Sequence, residues 1–390
     1  MTLLRLLLAA LLASPLAAQP SLKALWARHE TLVLGAPPPE IPRAEASIHL
    51  FTGARGQQVR GWEVGDPALP TVLWWEGGPG GWTENPDLGP WLGLDGRKFR
   101  FLTLDQPGVG DGTSAWIPGW RPEDTADDAA AFLRLRGVGK PVIVVGWSWG
   151  STMALLFAQR HPELVQAVIV GGVWANSPGE VRRYLGVDGA RAFIPGLVEA
   201  FEPLGLKGDW TACDLHAALR EGRGGVAAAK AYADAEGVQC FVDTPLRGAP
   251  LPPLVAAPGT AVDMATCPDP GVRFAYIESE MMCRGERGEW QLPLRFPPQL
   301  GKVPLVVIQG RFDQVCDPEV AFKVFKAWPG ARKRWVPLNT GHGSSRGLGP
   351  EELARVGLDP ALGAKVNQAL RLRLGHTGRM VGAALSLLVE

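Results

Sequence analysis

Apolar runs of strand length recur along the chain, punctuated by Gly and Pro. Eight predict β-strands: Ala46–Thr52, Gln57–Val64, Thr71–Trp75, Phe99–Leu104, Pro141–Gly146, Ala167–Gly171, Val303–Gln309 and Arg334–Leu338. Several are continuously apolar, as in Val142-Ile143-Val144-Val145. A strand buried on both faces has no polar side, so this pattern suits a parallel sheet. Helical segments follow three of the runs, at Ala126–Leu135, Thr152–His161 and Pro318–Trp328. Strand alternating with helix predicts an α/β fold: a mostly parallel eight-stranded sheet flanked by helices.

The rhythm breaks between Trp174 and Gln299, where no buried strand is legible. That stretch carries an Ala-rich helical patch, Val226–Ala235, and a Pro-rich connector, Pro245–Pro258. Structureless loops of this length are rare in compact domains, so a mainly helical cap inserted into the sheet domain is expected. The resulting division is 1–18 leader, 19–173 first part of the sheet domain, 174–299 cap and 300–390 second part.

The leader reading rests on Arg5, the short apolar run Leu6–Ala13, the Ser14-Pro15 break and the small pair Ala17-Ala18 before Gln19. This is the layout of a cleaved secretory signal. The run falls short of the roughly 18 residues a spanning helix needs, so an exported protein, periplasmic or extracellular, without stable membrane insertion is expected. Export permits disulfides. Five Cys are present, at 213, 240, 267, 283 and 316; nearest-neighbour pairing predicts Cys213–Cys240 and Cys267–Cys283. Lys plus Arg and Asp plus Glu are both 39, and this balance argues against a nucleic-acid partner.

Candidate chemistry centres on Gly146-Trp147-Ser148-Trp149-Gly150, which follows four β-branched residues and precedes a helical segment. In a strand–G-x-S-x-G–helix turn the Ser is held in a strained conformation, with its hydroxyl exposed above the sheet. A Ser hydroxyl needs a base to attack a carbonyl. Partners for such a turn follow downstream, acid before His. Asp313 follows the Val303 run within Gly310-Arg311-Phe312-Asp313, and His342 follows the Arg334 run within Asn339-Thr340-Gly341-His342. All three would sit at one sheet edge, with Ser148 as nucleophile, His342 as base and Asp313 as its orienter. Asp317 is the rival acid; His161 and His376 lie by helical segments, and His29, His49 and His216 outside any late strand-end loop. Two N–H donors should face the oxyanion: that of Trp149, and one from Glu76-Gly77-Gly78-Pro79-Gly80-Gly81, where Gly78 is favoured. No metal or cofactor is implied: there is no C-x-x-C, Cys/His or phosphate-loop pattern.

Together, Gly77-Gly78-Pro79-Gly80-Gly81, Asp105-Gln106-Pro107-Gly108, Gly146–Thr152 and Gly310–Asp313 resemble the proline iminopeptidase group of serine aminopeptidases. The resemblance spans about residues 46–345. It implies an α/β-hydrolase fold with a helical cap, release of N-terminal residues, proline among the possibilities, and a peptide substrate with a free N-terminus. Ala275-Tyr-Ile-Glu278-Ser-Glu280-Met-Met282 is similar to a family segment whose Glu binds the substrate's α-ammonium. That role would fall on Glu278, with Glu280 either a second ligand or a solvated charge. Two departures put proline specificity in doubt: Glu76 stands where the family has His, and Pro107 where it has Arg. Trp82, Trp147, Trp149 and Trp174 flank these motifs, as pocket walls or as core. An esterase or amidase of the same fold, and a non-catalytic binding protein on this scaffold, remain alternatives.

Overall fold

The computed structural model describes residues 46–83, 99–186, 189, 191, 194, 196–240, 262–338, 341 and 342, all within one unit, Ile41–Glu390. The segment expected to be a leader, the Pro245–Pro258 connector and the chain after His342 lie outside the described residues. Eight strands form: β1 (Ala46–Thr52), β2 (Gln58–Val64), β3 (Thr71–Trp75), β4 (Arg100–Leu104), β5 (Val142–Trp147), β6 (Val165–Gly171), β7 (Leu305–Gly310) and β8 (Lys333–Leu338). Each lies within two residues of its predicted bounds at either end.

They build one sheet in the order β1-β2-β4-β3-β5-β6-β7-β8. β2 runs antiparallel to both β1 and β4; every other pairing is parallel. The continuous apolar strands have the expected consequence. Leu73, Val144, Val168 and Val307 enter a core on one face, whereas Val72, Ile143, Ile169 and Ile308 enter a core on the other. Alternation along each strand thus feeds both cores, and each fully buried Val, Leu or Ile contributes roughly 1.5–3 kcal/mol.

Helix α1 (Pro122–Leu135) starts four residues before the predicted segment, with Pro122 in the first turn and Glu123 and Asp124 near the N-terminal end of the helix dipole. Helix α2 (Trp149–Arg160) follows β5 after one residue, Ser148. Between β6 and β7 the described residues form only helices: α3 (Pro178–Leu185), α4 (Leu197–Phe201), α5 (Ala212–Arg220), α6 (Gly225–Cys240), α7 (Pro270–Glu286) and short 3-10 turns. Asp269 caps α7 by accepting from the Val272 N–H at 3.0 Å. Helix α8 (Pro318–Ala327) precedes β8. None of the described helices is long and apolar enough to cross a membrane.

The disulfide expectation requires correction. Cys213 of α5 bonds to Cys283 of α7, and Cys240, Cys267 and Cys316 are free thiols. Sequence proximity chose the wrong partners because α5 packs directly against α7, bringing together residues 70 positions apart.

Candidate active site

β3, β5, β7 and β8 run parallel, so the loops that follow them open at one edge of the sheet. In register, Trp75 pairs with Gly146, Trp147 with Gly171, and Gly310 with Leu338. The predicted site residues after these strands therefore share a rim.

Ser148 occupies the turn between β5 and α2 with φ 57° and ψ −132°. Positive φ costs a residue with a Cβ about 1 kcal/mol or more, and only Asn176 shares it among the described non-glycine residues. The tight turn explains both flanking glycines. A Cβ on Gly146 would lie 2.0 Å from the Gly150 carbonyl oxygen, and one on Gly150 would lie 2.1 Å from that of Trp75.

Asp313 follows β7 and is buried. Its Oδ1 accepts from the backbone N–H groups of Val315 and Cys316 at 2.9 and 2.8 Å, and its Oδ2 accepts from Gln309 Nε2 at 3.0 Å. His342 Nδ1 lies 3.0 Å from Oδ2 and 3.1 Å from Oδ1, so the ring N–H donates to the carboxylate. Burial opposes a charged imidazole, but Asp313 outweighs it, helped by Glu236, and the His342 pKa is raised above its usual 6.5. Asp313, Cys316 and His342 each place a ligand-type atom within 4.8 Å of the others. The Asp313 oxygens are already occupied by the donors above, which leaves little capacity for an ion.

The Ser148 hydroxyl lies beside the Cys316 thiol, whose pKa burial and Asp313 push well up. Among the described residues no hydrogen bond joins Ser148 to the His342 ring; the imidazole is anchored on its Asp313 side. The rival acid Asp317 caps α8, accepting from the Glu319 N–H at 2.9 Å. His161 pairs with Asp127 at 3.0 Å, away from the triplet.

The loop after β3 lies against Ser148: a Cβ on Gly77 would be 3.5 Å from Ser148 Cβ and 4.0 Å from its Oγ. Gly78 has φ +103°, and a Cβ there would strike the Gly80 and Gly81 nitrogens. Trp149 is the first residue of α2; its indole N–H donates to Gln106 Oε1 at 2.8 Å. Trp149 and Trp174 are core residues, while Trp82 and Trp147 are half-buried. The Glu76 carboxyl accepts from the Trp74 indole at 3.1 Å. Burial, against the pull of the Trp74 hydrogen bond, drives its pKa up to about 7, and Asp105 adds to the rise.

Helix α7 meets this loop, since a Cβ on Gly80 would lie 3.1 Å from the Phe274 carbonyl oxygen. One turn further along α7, Glu278 is 1 % exposed, and its Oε2 has no hydrogen-bond partner among the described residues. Burial first, then the neighbouring Glu236 of α6, hold its carboxyl well above the usual carboxylate range; the Tyr232 hydroxyl pulls the other way. Glu280 is not brought to the same place. Two residues along an α-helix is a rotation of about 200°, and the charge that acts on Glu280 is Arg284 of its own helix. Sequence reading missed Glu236, which influences both Glu278 and His342. Its only signal was a charge one position beyond the Ala-rich patch.

The pattern of the alpha/beta hydrolase fold family matches residues 70–188. A proline iminopeptidase of Neisseria gonorrhoeae is 26% identical over 301 residues, which cover 70% of this chain and 84% of that protein. One of Xylella fastidiosa is 28% identical over 291 residues, 72% of this chain and 85% of that one. The chain is an α/β hydrolase in fold and proline iminopeptidase-like in sequence. A proline iminopeptidase of Arabidopsis thaliana is 26% identical over 294 residues, 73% of this chain and 72% of that one. The likeness supports hydrolase activity, and an aminopeptidase within this fold.

Proposed function

We propose that this protein is an exported serine aminopeptidase that releases N-terminal residues from peptides, with N-terminal proline the first residue to test. Ser148 attacks the scissile carbonyl, and a bond from carbon to Oγ forms as the carbonyl π electrons move to oxygen. His342 takes the hydroxyl proton, and Asp313 holds the ring so that its second nitrogen is the acceptor. The N–H groups of Gly78 and Trp149 stabilise the oxyanion. Collapse expels the leaving amine, which takes the proton from His342, and water then cleaves the acyl-enzyme by the same route.

The observation that carries the peptidase reading is the buried Glu278 oxygen that lacks a hydrogen-bond partner among the described residues, with Glu236 acting on it. A substrate ammonium seated between the two carboxyls would supply the missing donor and restore the charged form of Glu278. The helical segment between β6 and β7 acts as the cap, closing the site around one N-terminal residue. Export is supported by Cys213–Cys283, since disulfides persist in oxidising compartments.

The test is a panel of aminoacyl arylamides with free and N-acetylated amines, run on the native enzyme and on Glu278→Gln. Free amines should be hydrolysed and acetylated ones refused, and Glu278→Gln should lower kcat/KM by about 10²-fold. Equal turnover of both sets would replace the peptidase reading with an esterase or amidase. In either case Ser148→Ala should lose several orders of magnitude in turnover while remaining folded.

A further inference from the structure

The residue before the nucleophile has no role in the scheme above, yet its side chain reaches the base. Trp147 ends β5, and its indole N–H donates to the backbone carbonyl of His342 at 2.9 Å, joining positions 195 apart. β6 is shaped to allow this. Trp147 pairs in register with Gly171, where a Cβ would lie 2.1 Å from the indole ring. At Gly172, which has φ +49°, a Cβ would lie 3.0 Å from the indole nitrogen and 2.9 Å from His342 Cε1. Two consecutive glycines thus open the slot in which indole and imidazole meet.

The two anchors on His342 act on different parts of the residue. Asp313 holds the ring at Nδ1; Trp147 holds the main chain. A ring fixed only at Nδ1 still moves with its backbone, because a hydrogen bond to a single atom leaves the rest of the imidazole free to pivot. Trp147 is also peptide-bonded to Ser148, so the second anchor ties the base to the element that carries the nucleophile.

We propose that Trp147 is a positioning residue for acyl transfer: by holding the His342 carbonyl, its indole N–H sets where the imidazole lies relative to Ser148 Oγ. This rests on the Ser148–His342–Asp313 reading. The bond does not touch substrate, so its loss should appear in the chemical step and not in binding.

Two variants separate the N–H from the ring. Trp147→Phe keeps an aromatic face against Gly171 without the donor. Trp147→3-benzothienylalanine keeps the whole bicyclic shape, with sulfur in place of the N–H, and guards against a packing failure in the Phe variant. With an aryl ester and a free aminoacyl arylamide, both variants should lose about fivefold in kcat with KM within about twofold. Labelling of Ser148 by an organophosphonate should slow by the same factor. If the isosteric variant keeps kcat and labelling rate within about twofold, or loses only in KM, the positioning role is overturned. Ser148→Ala and His342→Ala run beside them identify which idea has failed. If both abolish turnover while the isostere is unimpaired, only the tether is wrong. If either retains turnover, the relay is wrong and the tether falls with it.

Discussion

Glu76→Gln should make this protein more stable at alkaline pH and no more stable in acid. The Glu76 carboxyl titrates at about 7 in the folded protein, against an ordinary 4.5, chiefly because it is buried. Between those two values the unfolded chain has released its proton and the folded chain still holds it. Unfolding then becomes easier as pH rises, until the folded form ionises too. A separation of about 2.5 pKa units corresponds to roughly 3 kcal/mol lost by about pH 8. Glu76 keeps partial exposure, so water offsets part of this cost and about 2 kcal/mol is the working expectation. Glutamine is nearly isosteric, never ionises and keeps an oxygen to accept from the Trp74 indole. The assay is urea denaturation of both proteins at pH 4.5 and pH 8.5, compared as differences so that other titrating groups cancel. The variant should gain about 2 kcal/mol at the higher pH and nothing at the lower. A gain that is equal at both pH values, or a variant weaker than the parent at pH 8.5, would refute the reasoning.

Three further outcomes follow from the site and its supports. Because His342 must be neutral to accept a proton in the proposed mechanism and its pKa is raised, activity should fall with acidification through a midpoint above the ordinary imidazole value of 6.5; a pH profile of kcat/KM checks this, and Asp313→Asn should abolish the shift as well as most of the rate. Closing a 70-residue loop makes Cys213–Cys283 worth roughly 4 kcal/mol, so the paired substitution Cys213→Ala, Cys283→Ala should lower the denaturation midpoint under oxidising conditions, and reductant should do the same to the native protein but not to the variant. Gly146→Ala should prevent correct folding, since its methyl would meet the Gly150 carbonyl oxygen at 2.0 Å; thermal unfolding of the soluble fraction reports it.

The sheet was legible because burial on both faces writes an unmistakable composition into β5, β6 and β7, and Gly or Pro marks their ends. The turn at Ser148 was legible for a similar reason, since its two glycines leave no room for a Cβ. Other features depend on which helices touch, and spacing does not encode that. Cys213 found Cys283 and not Cys240 because α5 packs on α7. Glu236 emerged beside Glu278 only once α6 and α7 were adjacent. Glu278 and Glu280 look interchangeable in sequence, yet the helical turn sends them to different sides. The hold of Trp147 on His342 runs from the end of β5, past β6 and β7, to the loop after β8, and leaves no local trace at all.

β6 and β7 lie side by side although about 130 residues of chain separate them, and the entropy of closing such an excursion grows only with the logarithm of its length. Lengthening, shortening or exchanging that excursion would therefore change the free energy of the scaffold by little while, on the proposed reading of it as a cap, replacing the walls around the reacting bond. Selectivity in this architecture can drift or be redesigned by grafting, with the hydrolytic apparatus below left untouched.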